Sequence, residues 1–169
     1  MSTYDEIYQA VKVIQSTGNK NLCVLHCVSV YPASPESINL NNIIELRRSL
    51  KNVPIGFSDH TIGIEVPMGA VALGSSVIEK HFTLDRKLPG PDHWFSSDPE
   101  EFKKMAESIR NIEIGLGTGK KTITKSEKKN INIARKSIVA KTTKKKGDIF
   151  SENNLTTKRP GSGLSPLEW

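Results

Sequence analysis

What most restricts the fold of this chain is an alternation. Three short β-prone apolar runs, "LCVLHC", "VPIGF" and "SSVIEKHFTL", take turns with four segments of helical character, and the links between them are short. An α-β-α-β-α-β-α order of that kind implies parallel strands joined by helical crossovers. The first helical segment, "STYDEIYQAVKVIQSTGN", has Thr3 and Glu6 at capping-box spacing and Gly18 to end it. Its apolar face is expected to be Ile7, Ala10, Val11 and Ile14. Leu40, Ile43, Ile44, Leu46 and Leu50 mark a second helix after the Pro/Ser-rich loop "VSVYPASPES". "GIEVPMGAVALG" reads as a small-residue helix ended by Gly74. A final helix opens with Ser97 and Glu100 as a capping box and Pro99 in its first turn. Phe102, Met105, Ala106, Ile109 and Ile112 form its core face. Three such strands make an open α/β sheet or part of a (β/α)8 barrel. A whole barrel takes about 250 residues, and this chain has 169.

The character changes after Gly119. The formal charge of +6 is concentrated downstream, where Lys120, Lys121, Lys125, Lys128, Lys129, Arg135, Lys136, Lys141, Lys144, Lys145 and Lys146 face a lone Glu127 in their basic stretch. No aromatic residue is interleaved with these lysines, so the segment offers bases no stacking platform and reads as a solvated face or linker. Residues 1–119 form one expected unit, 120–136 a linker, and 137–169 the start of a β-rich module of short strands and turns. Cys23 and Cys27 are too few for a disulfide framework and imply reduced thiols in a cytoplasmic protein. No apolar run approaches the roughly 18 residues of a membrane span, so neither a membrane nor a nucleic acid is an expected partner.

Parallel α/β folds bind ligands at the carboxyl ends of their strands. Cys27, Ser29 and Tyr31 follow the first strand, Ser58, Asp59 and His60 the second. Glu79, Lys80 and His81 end the third, with Asp92 and His93 further along its loop. All fall on one rim. Neighbouring strands lie about 4.8 Å apart, so His60 and His81 can converge on one metal ion and leave coordination positions to water and substrate. They can equally be a turn residue and a hydrogen-bonded rim residue. Lys80, Ser29 and Ser58 can hold a phosphate or carboxylate. Alternatively, Lys80 pairs with Glu79 or Asp59, and Ser58 makes a cap or turn hydrogen bond. "GLGTGK" lacks a preceding strand and the Walker spacing, and reads as a helix exit.

The ordered set "LHCVSVYPA", "GFSDHTIG", "VIEKHFTLD", "GPDHWFS", "SIVA", "KKGDIFSENNLTTKRPGSG" and "LSP" resembles bacterial N-acetylneuraminate (sialic acid) synthases and their legionaminate and pseudaminate relatives. The resemblance implies the C-terminal portion of a (β/α)8 TIM barrel, about three βα units, followed from about Ser137 by a truncated antifreeze-like (SAF) domain. It implies condensation of phosphoenolpyruvate with N-acetylmannosamine or a related N-acylated amino sugar, giving a nine-carbon 2-keto sugar acid and phosphate. It also implies a divalent metal, Mn2+ ahead of Mg2+ or Co2+, bound by His60 and His81, and a domain-swapped homodimer in the full-length form. By the same resemblance Tyr31 and Asp92 look like sugar contacts and Ser58 lies near phosphoenolpyruvate. Glu79 and Lys80 orient ligands, and Arg159 reaches the sugar in a partner subunit's site. Ser29 stands where some members carry asparagine.

The resemblance further implies that the upstream barrel strands, with their phosphate-gripping lysines, lie outside this sequence, so the isolated chain is expected to be poorly stable and weakly active or inactive. Two other classes of function remain as alternatives. One is a non-catalytic remnant or basic interaction module using the lysine-rich segment. The other is a metal-dependent barrel hydrolase using the same histidines.

Overall fold

The computed structural model describes residues 1–169. The chain divides into two compact units, Met1–Gly119 and Lys120–Trp169. In the first, helix α1 (Tyr4–Ser16) starts at the expected capping box: the Thr3 amide donates to Glu6 Oε2 at 2.7 Å, and the Glu6 amide donates to Thr3 Oγ1 at 3.4 Å. Strand β1 (Val24–Cys27), short helix α2 (Pro35–Ile38) and helix α3 (Asn41–Ser49) follow. Then come strand β2 (Ile55–Asp59), helix α4 (Glu65–Ala72), strand β3 (Val77–Lys80) and helix α5 (Pro99–Leu116). Gly18 and Gly74, which close α1 and α4, have φ of 84° and 97°, a left-handed conformation that glycine adopts without steric cost.

The three strands form a parallel sheet in the order β1-β2-β3. Central β2 is buried along its whole length, whereas edge strand β1 is half-buried because it has a neighbour on one side alone. Ile55 and Phe57 of β2 enter one core with Ile43 and Leu46 of α3, Ala70 of α4, and Ala33 and Ile38. Alternation along a strand sends odd and even residues to opposite faces. Ile55 and Phe57 therefore define the helix-facing side, and Ser58 takes the other.

Four expectations need correction. Residues 35–37, read as loop, form α2 together with Ile38. The apolar face of α1 is mostly not core: Val11 is its one buried residue, and Ile14 is 39% exposed. The face of α5 likewise buries Met105 alone. The cap of α5 is Asp98, not Ser97: Asp98 Oδ1 accepts from the Glu101 amide at 2.9 Å. The backbone of Ser97 is committed elsewhere. Its amide donates to the His81 carbonyl and its carbonyl accepts from the Thr83 amide, both at 2.9 Å, which holds it extended beside Phe82 and moves the cap one residue on.

In the second unit, residues within the expected linker form helix α6 (Lys125–Ala134), and strands β4 (Ser137–Ala140) and β5 (Leu155–Lys158) make an antiparallel pair. Thr124 and Glu127 cap α6 reciprocally. Hydrogen bonds from the Thr124 amide and hydroxyl hold the Glu127 carboxyl below its ordinary value. A carboxylate with a lowered folded-state pKa stabilises the fold above its unfolded pKa and ceases to as pH falls through the folded value. On acidification below the ordinary glutamate range, about pH 4.3, the first turn of α6 is expected to fray in Thr124–Glu127 amide exchange. Glu127→Gln is expected to remove that pH dependence.

Candidate active site

The parallel register pairs Ser58 with Glu79 and Asp59 with Lys80, so the next residue on each chain, His60 and His81, stands side by side at the carboxyl ends of β2 and β3. Their ring centroids are 5.1 Å apart and the planes are nearly perpendicular, at 80°. Strand β2 runs further toward the site than the apolar pattern suggests, because Ser58 and Asp59 belong to it rather than to a turn. Ser58 and Glu79 share the face of the histidines, and the Ser58 hydroxyl donates to Glu79 Oε1 at 2.7 Å.

His60 is buried, and its Nδ1 lies 2.9 Å from the Val28 carbonyl. A carbonyl can only accept, so Nδ1 carries the proton and Nε2 of the neutral ring keeps its lone pair. Cys27 Sγ sits behind the ring, 3.9 Å from the same Nδ1. The Tyr31 ring, 51% exposed, lies 4.3 Å from His60 and 5.7 Å from His81, centroid to centroid. Asp92 Oδ2 stands 3.8 Å from His81 Nδ1, close enough to orient a charged or water-linked imidazole and too far for a direct hydrogen bond. Buried Phe95 walls the pair, 5.2 Å from His81 and 6.3 Å from Tyr31. No pattern singled it out, although the quoted "GPDHWFS" contains it.

His60, His81, Tyr31, Asp92, Ser58 and Glu79 thus gather on one rim. Ser29 is exposed, and its hydroxyl reaches Cys27 Sγ at 3.9 Å. Arg159 belongs to the second unit, exposed in the segment after β5. Lys80 does not take the ligand-binding place expected of it. Its Nζ lies 2.6 Å from Asp59 Oδ2 and 2.7 Å from the Thr61 carbonyl, and the Lys80 and Asp59 side chains are 2% and 0% exposed. Strand alternation explains this: residue 80 points to the helix-facing side while Glu79 and His81 point to the site.

These donors fit a divalent cation of the borderline class. Two imidazoles converge, and the Val28 carbonyl holds one in the tautomer that offers Nε2 outward, as an outer-shell partner does at metal-bound histidines. No group of three or more His, Cys, Asp or Glu side chains is assembled, so a cation held by this pair would take its remaining ligands from elsewhere.

A profile of the NeuB family matches residues 1–121. The N,N'-diacetyllegionaminic acid synthase of Campylobacter jejuni is 48% identical over 171 residues, covering 100% of this chain and 51% of its own length. The pseudaminic acid synthase of Campylobacter jejuni is 41% identical over 166 residues, 98% of this chain and 48% of its own. Among solved structures, an N-acetylneuraminic acid (sialic acid) synthetase from Leptospira borgpetersenii, in complex with citrate, superposes with a TM-score of 0.70. It is 40% identical and covers 78% of this chain and 45% of that one. The chain spans about half the length of the curated relatives it matches. No helix is long and apolar enough to cross a membrane.

Proposed function

This chain belongs to the NeuB family, and from that premise we propose that its first unit is the aldehyde-activating part of a nonulosonic-acid synthase. The reaction condenses phosphoenolpyruvate with N-acetylmannosamine or a related 2-acetamido sugar. Carbon 3 of phosphoenolpyruvate bonds to the aldehyde carbon of the open-chain sugar. Water adds at carbon 2, and phosphate leaves with cleavage of its C–O bond, which yields the 2-keto acid.

The observation that carries this reading is the His60–His81 pair at adjacent strand ends, with the His60 tautomer set by Val28. His60 and His81 would hold a divalent metal, Mn2+ in first place. When bound, the metal supplies Lewis-acid polarisation of the sugar aldehyde. Tyr31 offers a ring and a hydroxyl beside both histidines, suited to the sugar carbon chain. Asp92 accepts from a sugar hydroxyl while facing His81. Glu79 fixes the Ser58 hydroxyl by accepting its hydrogen bond, and so orients it at the position proposed for phosphoenolpyruvate. Arg159 is proposed to reach the sugar in the site of a second subunit, and residues from about Ser137 to begin an antifreeze-like domain. The hydrolase alternative calls for further His or Asp ligands, and Asp92, 3.8 Å from His81 Nδ1, is the one such side chain beside the pair.

The test is a chimera in which this chain replaces the matching half of the Campylobacter jejuni N,N'-diacetyllegionaminic acid synthase. Mn2+-dependent release of phosphate from phosphoenolpyruvate is expected, and it should require an amino-sugar aldehyde. A folded chimera that releases no phosphate with any 2-acetamido sugar would sink the reading. The 169-residue chain alone is expected to turn over weakly or not at all.

A further inference from the structure

Asp59 and Lys80 immediately precede the two histidines, and the β2–β3 register sets them opposite each other. Their contacts form one small buried knot. Lys80 Nζ donates to Asp59 Oδ2 and to the Thr61 carbonyl. Asp59 Oδ1 accepts from the Thr61 amide at 2.9 Å and from the Thr61 hydroxyl at 2.8 Å. The knot therefore grips the residue on either side of His60 and the residue before His81. It lies on the helix-facing side of the sheet, away from the rings it brackets.

An ion pair this far from water is a poor source of stability. The desolvation of both charges offsets most of their attraction, and apolar side chains of similar volume often serve as well or better. What such a pair can supply is a single geometry, because its hydrogen bonds are short, directional and shared with the backbone. The site needs that. Strands about 4.8 Å apart must bring two imidazole nitrogens to about 2.0–2.1 Å from one ion, and the knot adds a link between β2 and β3 to the bonds that tie His60 back to Val28 and Ala33. We propose that the Asp59–Lys80–Thr61 knot is a positioning clamp that sets the separation and mutual angle of His60 and His81. Neither charged group touches metal or substrate. The inference rests on the reading of the two histidines as metal ligands.

Removing one charge alone strands the other in the interior, so the informative variant is the double Asp59→Asn/Lys80→Met in the 169-residue chain. It discharges both positions at similar volume and keeps an oxygen for the Thr61 amide. Two readouts are taken: the Mn2+ dissociation constant, and the NOE between the His60 and His81 ring protons. The His26–Phe57 ring contact, centroids 5.9 Å apart, reports an intact core.

The expected result is an intact core, a weakened His60–His81 NOE and a dissociation constant raised about tenfold, the scale of outer-shell effects on metal sites. An unchanged NOE and dissociation constant in the folded double variant would overturn the clamp. If the wild-type chain binds no Mn2+, the metal reading fails, and the ring NOE still decides whether the knot positions the histidines. If the double variant does not fold, Thr61→Val deletes just the hydroxyl bond to Asp59 at nearly constant volume. The same two readouts then decide, with a weakened ring contact expected and an unchanged one overturning the proposal.

Discussion

His60→Ala and His81→Ala are each expected to abolish specific Mn2+ binding by the first unit, with affinity falling by more than about a hundredfold. Outer-shell changes at metal sites already cost about 10–100-fold, and each of these substitutions removes half of the protein's nitrogen donors. Folding should survive. His81 is partly exposed and ends a strand, and His60 gives up one hydrogen bond, to the Val28 carbonyl, at the rim of the core rather than within it. Titration of Mn2+ by EPR, with far-UV circular dichroism as the control, checks both statements. In the chimeric synthase the same substitutions should stop phosphate release while leaving the protein soluble. Full Mn2+ affinity in either variant would remove the site from consideration. Tyr31→Phe is a useful contrast: it keeps the ring 4.3 Å from His60 and should leave metal affinity as it is.

Phe57→Ala is expected to be the most destabilising single change in the first unit. Phe57 is fully buried at the centre of the middle strand, against Ile43, Leu46 and Ala70, with the His26 ring 5.9 Å away. Phe→Ala in a core costs about 3–5 kcal/mol, the transfer term plus the cavity left behind. That is a large share of the roughly 5–15 kcal/mol that holds an ordinary domain together. This unit has less in hand than most. Its sheet has three strands with β1 and β3 both at edges, and apolar side chains such as Val77 and Phe82 stay substantially exposed. Urea unfolding followed on the β2 amides should show most of the unit's stability gone. Ile14→Ala on α1 should stay within about 0.5 kcal/mol, as exposed substitutions do. Comparable effects of the two would contradict the placement of the core.

The contrast between Phe57 and Ile14 shows where sequence reading worked and where it stopped. Both lie on convincing apolar patterns. The pattern on β2 found its partners within the chain, so its burial follows. The pattern on α1 is sound local chemistry, and the helix and its capping box form as expected. Yet burial is a property of two surfaces, and one helix's periodicity says nothing of whether the second is present. Helix α6 is the opposite case. Its Thr124–Glu127 pair has the same T-x-x-E spacing as the cap of α1, set in a lysine-rich stretch whose charge pattern alone reads as linker. At Ser97 a plausible cap lost to a competing use of the backbone. Its amide and carbonyl bridge to the end of β3, a long-range pairing that local spacing does not contain.

For the site, the strand-end rule put His60, His81, Tyr31, Ser58, Glu79 and Asp92 on one rim, together with Cys27, Ser29, Asp59, Lys80 and His93, because an alternating α/β chain puts every strand's carboxyl end on the same side whatever the details of packing. Sequence by itself thus determined the order of the three parallel strands and of the four longer helices around them, and the side of the sheet on which chemistry can occur. These follow from short-range propensities, caps and the directionality of parallel strands. The tertiary structure alone decided the register of β2 against β3. That register turned Lys80 from a candidate ligand into the buried partner of Asp59, and it set the two histidine rings 5.1 Å apart. The reason is the period of two along a strand: shifting a pairing by one residue sends every side chain to the other face. What selects the register is the packing of β2 against α3, α4 and its neighbouring strands, an energy distributed over residues far apart in sequence.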